Sequence, residues 1–332
     1  MTYDCFSFFN ELDILEIRLN TLDSVVDKFV IAESHYTHTG KPKPLYYKDN
    51  ETRFSKFKDK ILHVVVDDFP SFQRSTDNEM SWIRENWQRN AIMRAIPTNA
   101  NRNDYLIISD VDEIPSIEAV KQATSHNGLS RLHLRMFYYF VNYRNYTCPN
   151  WTIGPQVCPI GMLQSTINVE LPEKFVDHRI NKGITPTVIR FLKSDNIIKN
   201  AGWHFSYCGG ITAIRDKLKA IAHTENCTQE NTDYAHIEKR IKDGLPPFAG
   251  SSRFFAIPLD NTFPQYIRDN RQKFSQLIFK ITPYYLAKTA PLRLFTTTKR
   301  ILIEILRAIL PRTIKDWLYF TFIEPTAQHN QQ

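Results

Sequence analysis

Three short apolar runs, each finishing at or near an acid, constrain this chain more than any other feature of its 332 residues. They are KFVIAES (Lys28 to Ser34), KILHVVVDDF (Lys60 to Phe69) and DYLIISD (Asp104 to Asp110). Runs of this length, rich in branched residues, read as buried strands. Helical spacing lies around them. In ELDILEIRLNTL, Leu12, Leu15, Leu19 and Leu22 recur every three or four positions; in SWIRENWQRNAIMRAI, Ile83, Trp87, Ala91 and Ala95 recur every four. Strands alternating with helices predict βαβ units and an α/β fold with a mainly parallel sheet. Ligands of such sheets bind beyond the carboxyl ends of the strands, where Glu33, Asp67, Asp68, Asp110 and Asp112 fall.

Composition narrows the class. A chain with 42% hydrophobic and 23% charged residues buries a core and is not disordered. Five cysteines without a CxxC pair exclude a zinc ribbon and a disulfide scaffold, leaving a Cys148–Cys158 bridge open. The N-terminus MTYDCFSFFNELD lacks the succession of a signal peptide, and no run of about 18 uncharged apolar residues occurs. The expected location is the cytosol. From Phe279 to Gln332, eight Lys and Arg stand against three acids, which supplies +5 of the net +7. The remaining body is nearly neutral, so nucleic acid is not an expected partner.

After Pro115 the texture changes. RLHLRMFYYFVNYRNY (Arg131 to Tyr146) reads as strand, and GWHFSYCGGITAIRDKLKAIAH (Gly202 to His223) as strand, glycine turn and amphipathic helix. The last fifty residues hold two Pro-bounded amphipathic segments. In TKRILIEILRAIL, Arg300, Glu304 and Arg307 share one face, while Leu302, Ile305, Leu306 and Ile309 lie largely on the other. Such a segment either packs on the domain or lies on an anionic membrane surface, holding the protein peripherally on the inner face.

The acids of SDVDEIP carry the chemical signal. In an extended segment side chains two apart point the same way, so Asp110 and Asp112 are expected to converge on one hard cation, Mn²⁺ or Mg²⁺. Two carboxylates cannot fill an octahedral shell, which leaves room for water and phosphate oxygens. The alternative is a helix N-terminus capped by Ser109 or Asp110, with the acids favoured by the dipole.

Three stretches taken together, YDCFSFFNELDILEIRLNTLDSVVDKFVIAESHYTHTGKPKPLYY, DYLIISDVDEIPS and GWHFSYCGG, resemble the family 17 glycosyltransferases, in order, from Tyr3 to roughly Ile278. The resemblance implies a GT-A-like fold, with a Rossmann-like sheet binding a nucleotide sugar and a D-x-D holding a divalent cation. It also implies inverting transfer of N-acetylglucosamine from UDP-GlcNAc. The animal relatives are associated with an N-terminal anchor and the Golgi lumen. This chain's opening departs from that, which leaves the acceptor open between a protein glycan, a surface polysaccharide and a lipid-linked oligosaccharide. The expected organisation is a glycosyltransferase domain over 1–278, with a nucleotide-binding half (1–115) and an acceptor half (116–278), then a basic helical tail over 279–332.

Further residues acquire expected roles beside that resemblance. Asp110 and Asp112 match the metal-binding acids, and His204 stands where a histidine joins the metal or the diphosphate; satisfied burial is its bland alternative. Trp203 is a stacking surface for sugar or base, or a core residue. Asn10 and Glu11 match the N-E-L-D opening and are expected at the nucleotide. Glu33 accepts from ribose or uracil, or is simply solvated. Arg84, Asn86 and Arg89 share a helix suited to phosphate, and His38, Lys41 and Lys43 sit in a proline-bounded lid or turn. The general base is Glu113 or Glu225, with Glu170 and Glu173 behind them. Two other classes stay open: a nucleotide-sugar-binding protein without turnover, and a metal-dependent phosphohydrolase or nucleotidyltransferase.

Overall fold

A computed structural model describes residues 1–73, 75–163 and 183–309, with side chains as far as Ile305. Glu170 and Glu173 lie outside the described residues. Elements run β1 (Thr2–Phe8), α1 (Leu12–Leu22), β2 (Lys28–Ser34), α2 (Tyr46–Asp49), β3 (Ile61–Val66), α3 (Asp77–Asn90), β4 (Tyr105–Asp110), β5 (Glu113–Pro115) and α4 (Ile117–Thr124). The chain continues with β6 (Ser130–Leu132), β7 (Leu134–Tyr138), β8 (Tyr143–Asn145), β9 (Asn150–Trp151), β10 (Gln156–Pro159), α5 (Pro186–Phe191), β11 (Asn196–Ile198) and β12 (Gly202–Ser206). It ends with α6 (Gly210–Ala220), α7 (Tyr234–Asp243), β13 (Phe254–Ala256), α8 (Gln265–Asp269) and α9 (Pro283–Ile309).

The described strands form two mixed sheets. The first has the order β11-β6-β10-β4-β1-β2-β3. Its β4, β1, β2 and β3 are parallel, while β10 runs antiparallel to both β4 and β6. The second has the order β13-β8-β7-β12-β5, with β9 beside β7. β1 and β2 are buried nearly throughout because both faces are covered. One core cluster joins Phe6, Leu15, Leu19, Phe29 and Ile107, and another joins Cys5, Val30, Ala32, Ile92 and Ile108. The in-register pairs Phe8 with Glu33 and Ser7 with Asp110 bring three strand exits to one rim.

α1 forms where the leucine spacing predicts it; α3 takes in Ile83 and Trp87, while Ala91 and Ala95 of the same spacing fall in a separate 3₁₀ helix, Ala91–Ala95. Thr76 and Glu79 close a capping box at the start of α3. The stretch from Arg131 to Tyr146 is not one strand. It passes from the first sheet to the second at His133, whose N–H donates to the Ile198 carbonyl, and turns at Tyr139 with φ 66°. In the described part of the tail, Pro291 does not bound a segment: α9 runs 27 residues with that proline inside it. Cys148 is exposed and Cys158 buried, and they are not bridged.

Gly202 settles how β12 meets β5. Its φ is +146°, and a Cβ there would stand 2.2 Å from the Ile114 carbonyl oxygen and 2.7 Å from the Pro115 Cα. Only glycine admits this approach, which pairs His204 with Glu113 and so brings β12 to the exit of β4.

Candidate functional site

β4 ends on Asp110, the chain turns through Val111 and Asp112, and β5 begins at Glu113. Because the backbone turns there, the two aspartates do not share one extended face. Each carboxylate has its own cation. Asp110 accepts from Arg89 at 3.2 Å and from Arg190 at 3.3 Å, its side chain 41% exposed. Asp112 is buried; its Oδ2 accepts from Lys217 Nζ at 2.7 Å, and its Oδ1 faces His204 Nε2 at 3.4 Å. The helix-cap alternative fails here, since the cap of α4 is Ser116, whose Oγ accepts from the Ala119 N–H.

The turn is held from beneath by a residue that the sequence reading passed over. Arg18, on α1, is fully buried. Its guanidinium donates to both Asp4 oxygens (2.7 and 2.5 Å), to Ser109 Oγ, and to the carbonyls of Asp110, Val111 and Glu113. A planar fork with five donors is suited to such a knot, where a lysine is not.

Glu113 is buried and both its oxygens are engaged. Arg190 forks onto them at 2.7 Å each, Trp151 Nε1 donates at 2.6 Å, and the Asp110 N–H donates at 3.1 Å. This setting differs from the open one expected of a general base. Glu225 is the contrary case: its carboxylate is 54% exposed and bonded to His223 Nδ1 at 2.7 Å. It stands near enough to Tyr207 to help raise that phenol, which burial foremost pushes up to about 12.

Glu11 joins the site through Lys217, which it contacts at 3.0 Å, and Asn10 adjoins it, its N–H donating to Glu11 Oε2. Glu33 is fully buried, so it is not the solvated or ribose-facing acid expected. Its oxygens are taken by the Tyr47 N–H and by His63, with Lys43 3.8 Å away. Arg84 donates to the His38 carbonyl and packs against Gly40, fastening that proline-bounded loop. His38 and Gln88 continue the link to Phe8 and Ala32, Asn86 is buried on the same helix, and Lys41 is exposed. Neighbours on a strand face opposite ways, so Trp203 points away from His204. It packs with Ile14, Ile114 and Phe137, and its indole donates to the Thr262 carbonyl.

The charges are mutually set. Burial alone would raise the Asp112 carboxyl, but Lys217 and His204 outweigh it and hold it well below the carboxylate range. Burial likewise opposes Asp110, and Arg190 and Arg89 prevail. Lys217 is desolvated, yet Asp112 and Glu11 hold its ammonium charged well above the ordinary lysine value.

Among the described residues, no three His, Cys, Asp or Glu side chains gather closely enough to hold an ion alone. The donor set nevertheless suits one partly held by substrate. Asp112 Oδ1 and His204 Nε2 are 3.4 Å apart, near the ~3 Å separating adjacent octahedral ligands at ~2.1 Å bond lengths. His204 Nδ1 is buried without a hydrogen-bond partner. A carboxylate and an imidazole together suit Mn²⁺ better than Mg²⁺.

Residues 1–151 match the family described as glycosyltransferase family 17. Three relatives, each called beta-1,4-mannosyl-glycoprotein 4-beta-N-acetylglucosaminyltransferase, are similar over 81% of this chain: that of Rattus norvegicus at 25% identity, and those of Homo sapiens and Mus musculus at 24%. The matched part is 53% of each relative, so the chain spans about half the length of the curated relatives it matches.

Proposed function

We propose, from this likeness to family 17, that the chain is an inverting glycosyltransferase of GT-A type that moves N-acetylglucosamine from UDP-GlcNAc to a hydroxyl of a glycan or lipid-linked oligosaccharide. The observation that carries the reading is the Asp110–Asp112 turn at the exit of β4, ringed by Arg89, Arg190, Lys217 and His204. Parallel strand exits are where nucleotides bind, and a cluster of cations there favours a diphosphate.

Each residue then has a task. Arg89 and Lys217 offer positive charge to the diphosphate oxygens, while Asn10 and Glu11 line the nucleotide side. Asp112 and His204 would hold a divalent cation whose remaining positions water and diphosphate oxygens complete. When bound, that cation neutralises the departing diphosphate. Glu225 takes the proton of the acceptor hydroxyl. Arg18, Glu113, Arg190 and Glu33 position the loops and do not touch substrate.

The test is a panel of nucleotide sugars, with and without Mn²⁺, on wild type and Asp112→Asn. UDP-GlcNAc is expected to raise the melting temperature and to be slowly hydrolysed, both in a Mn²⁺-dependent way and neither in the variant. A wild type that binds no UDP-sugar under any condition overturns the proposal.

A further inference from the structure

α9 is amphipathic in the opposite sense from a helix that packs on a core. Its inner side carries Tyr285, Arg293 and Thr296. Tyr285 Oη accepts from the Ala256 N–H, Arg293 donates to the Ala256 carbonyl, and Thr296 is buried. Arg293 also lies over the rings of Tyr146, Phe255 and Tyr285, so the first half of the helix is seated on the domain by polar and aromatic contacts. Five of its apolar residues face outward. Leu294 is 71% exposed, Phe295 65%, Leu302 55%, Ile305 53% and Ile301 46%.

At about 100° per residue these five occupy an arc of roughly 120° opposite the seated side. No charged residue of the helix falls within that arc. Lys288 and Lys299 stand along one border, and Glu304 is the only acid in the helix. An outward stripe of this kind is not a stable surface in water. It is also too short in apolar run to cross a bilayer: no helix among the described residues is long and apolar enough to do so.

We propose that α9 lies in the plane of an anionic membrane surface, its outer stripe in the acyl boundary and Lys288 and Lys299 at the headgroups. An apolar face bordered by lysines is the composition of an interfacial helix. A second copy fits less well, because a symmetric pairing brings the same lysine borders together and leaves them without acids. Arg293 fixes the helix to β13, so docking would hold the domain in one orientation on the surface. Arg300, on the polar face expected from the sequence, is half-buried while Glu304 is exposed, and the apolar face is free for this contact.

The experiment is sedimentation of the full chain with vesicles of phosphatidylcholine, with and without phosphatidylserine, beside size-exclusion chromatography with light scattering. Wild type is expected to bind the anionic vesicles in a salt-sensitive way and to elute as a monomer. Leu294→Gln with Ile301→Gln removes exposed side chains, so its melting temperature should match wild type while vesicle affinity falls at least about tenfold. Lys288→Gln with Lys299→Gln should weaken anionic binding by roughly tenfold or more and spare the fold. A wild type that stays in solution with anionic vesicles overturns the proposal, as does binding that both double variants retain. A dimer dispersed by Leu294→Gln with Ile301→Gln, without vesicle binding, assigns the stripe to self-association and also overturns it.

Discussion

Lys217 Nζ lies 2.7 Å from Asp112 Oδ2 and 3.0 Å from Glu11 Oε1, tying α6 to the turns that follow β4 and β1. One ammonium thus neutralises two acids from strand exits more than a hundred residues apart in the chain from it. The charge crowded at the end of β4 is tolerable because the protein supplies its own cations: Lys217 for Asp112, and Arg89 and Arg190 for Asp110. A nucleoside diphosphate entering there would compete with these acids for the same donors.

Lys217→Met should therefore destabilise the protein at neutral pH by about 3–5 kcal/mol, the usual consequence of leaving a buried charge unpaired. The sign of the pH dependence follows from the shifts. Asp112 is depressed in the folded state, so its contribution is present above the unfolded carboxylate value of about 3.9 and is lost as pH falls through the folded value. Lys217 is raised, so its contribution is full below about 10.4 and is lost as pH rises through the folded value. The gap between wild type and variant should be widest between about pH 5 and 9 and should narrow below about pH 4, as Asp112 in the variant takes up a proton. Urea unfolding across that range measures it; a gap that does not change with pH would remove the ion pair as its cause.

Arg18→Lys probes the knot beneath the turn. A single ammonium cannot reproduce the fork that serves Asp4, Ser109 and three carbonyls. It keeps the charge for Asp4, so the stability loss should stay below the ~3–5 kcal/mol expected of Arg18→Met. The Asp110–Glu113 backbone loses donors in both variants, and UDP-GlcNAc affinity should fall roughly tenfold or more as the turn loosens. Denaturant midpoints and ligand titration read the two effects separately. Wild-type affinity in Arg18→Lys would show that the turn holds itself.

The strand exits were legible because burial writes itself locally. β2 and β4 run largely apolar where both faces are covered, and Glu33 and Asp110 mark where each leaves the sheet. The cations that complete the site were not legible, because Arg18, Arg190 and Lys217 reach partners 92, 77 and 105 residues away. No local period encodes such a pairing. A trace existed for one of them: Arg18 sits among Ile14, Leu15, Ile17 and Leu19 on a helix buried nearly all round, and Asp4 interrupts an equally buried strand. Opposite charges at two core positions imply each other. Glu113 and Glu33 misled for the converse reason. A strand-end acid reads the same in sequence whether it faces a ligand or a buried arginine or histidine.

The same contrast separates the two candidate bases. A base must reach the acceptor hydroxyl with an oxygen free to take the proton. Glu113 has Arg190 across both oxygens and Trp151 on one, whereas Glu225 stands exposed with His223 beside it. Glu225→Gln should leave the melting temperature and UDP-GlcNAc affinity unchanged while transfer to an acceptor falls about 10²–10⁴-fold and the acid limb of the pH–rate profile disappears. Glu113→Gln should do the reverse: it leaves Arg190 without its full partner, costs about 3–5 kcal/mol of stability, and keeps the acid limb in whatever activity survives. The two limbs, measured side by side, decide the assignment. Full transfer by Glu225→Gln with its acid limb intact would strip Glu225 of the role and send the search to carboxylates outside the described residues, Glu170 and Glu173 first.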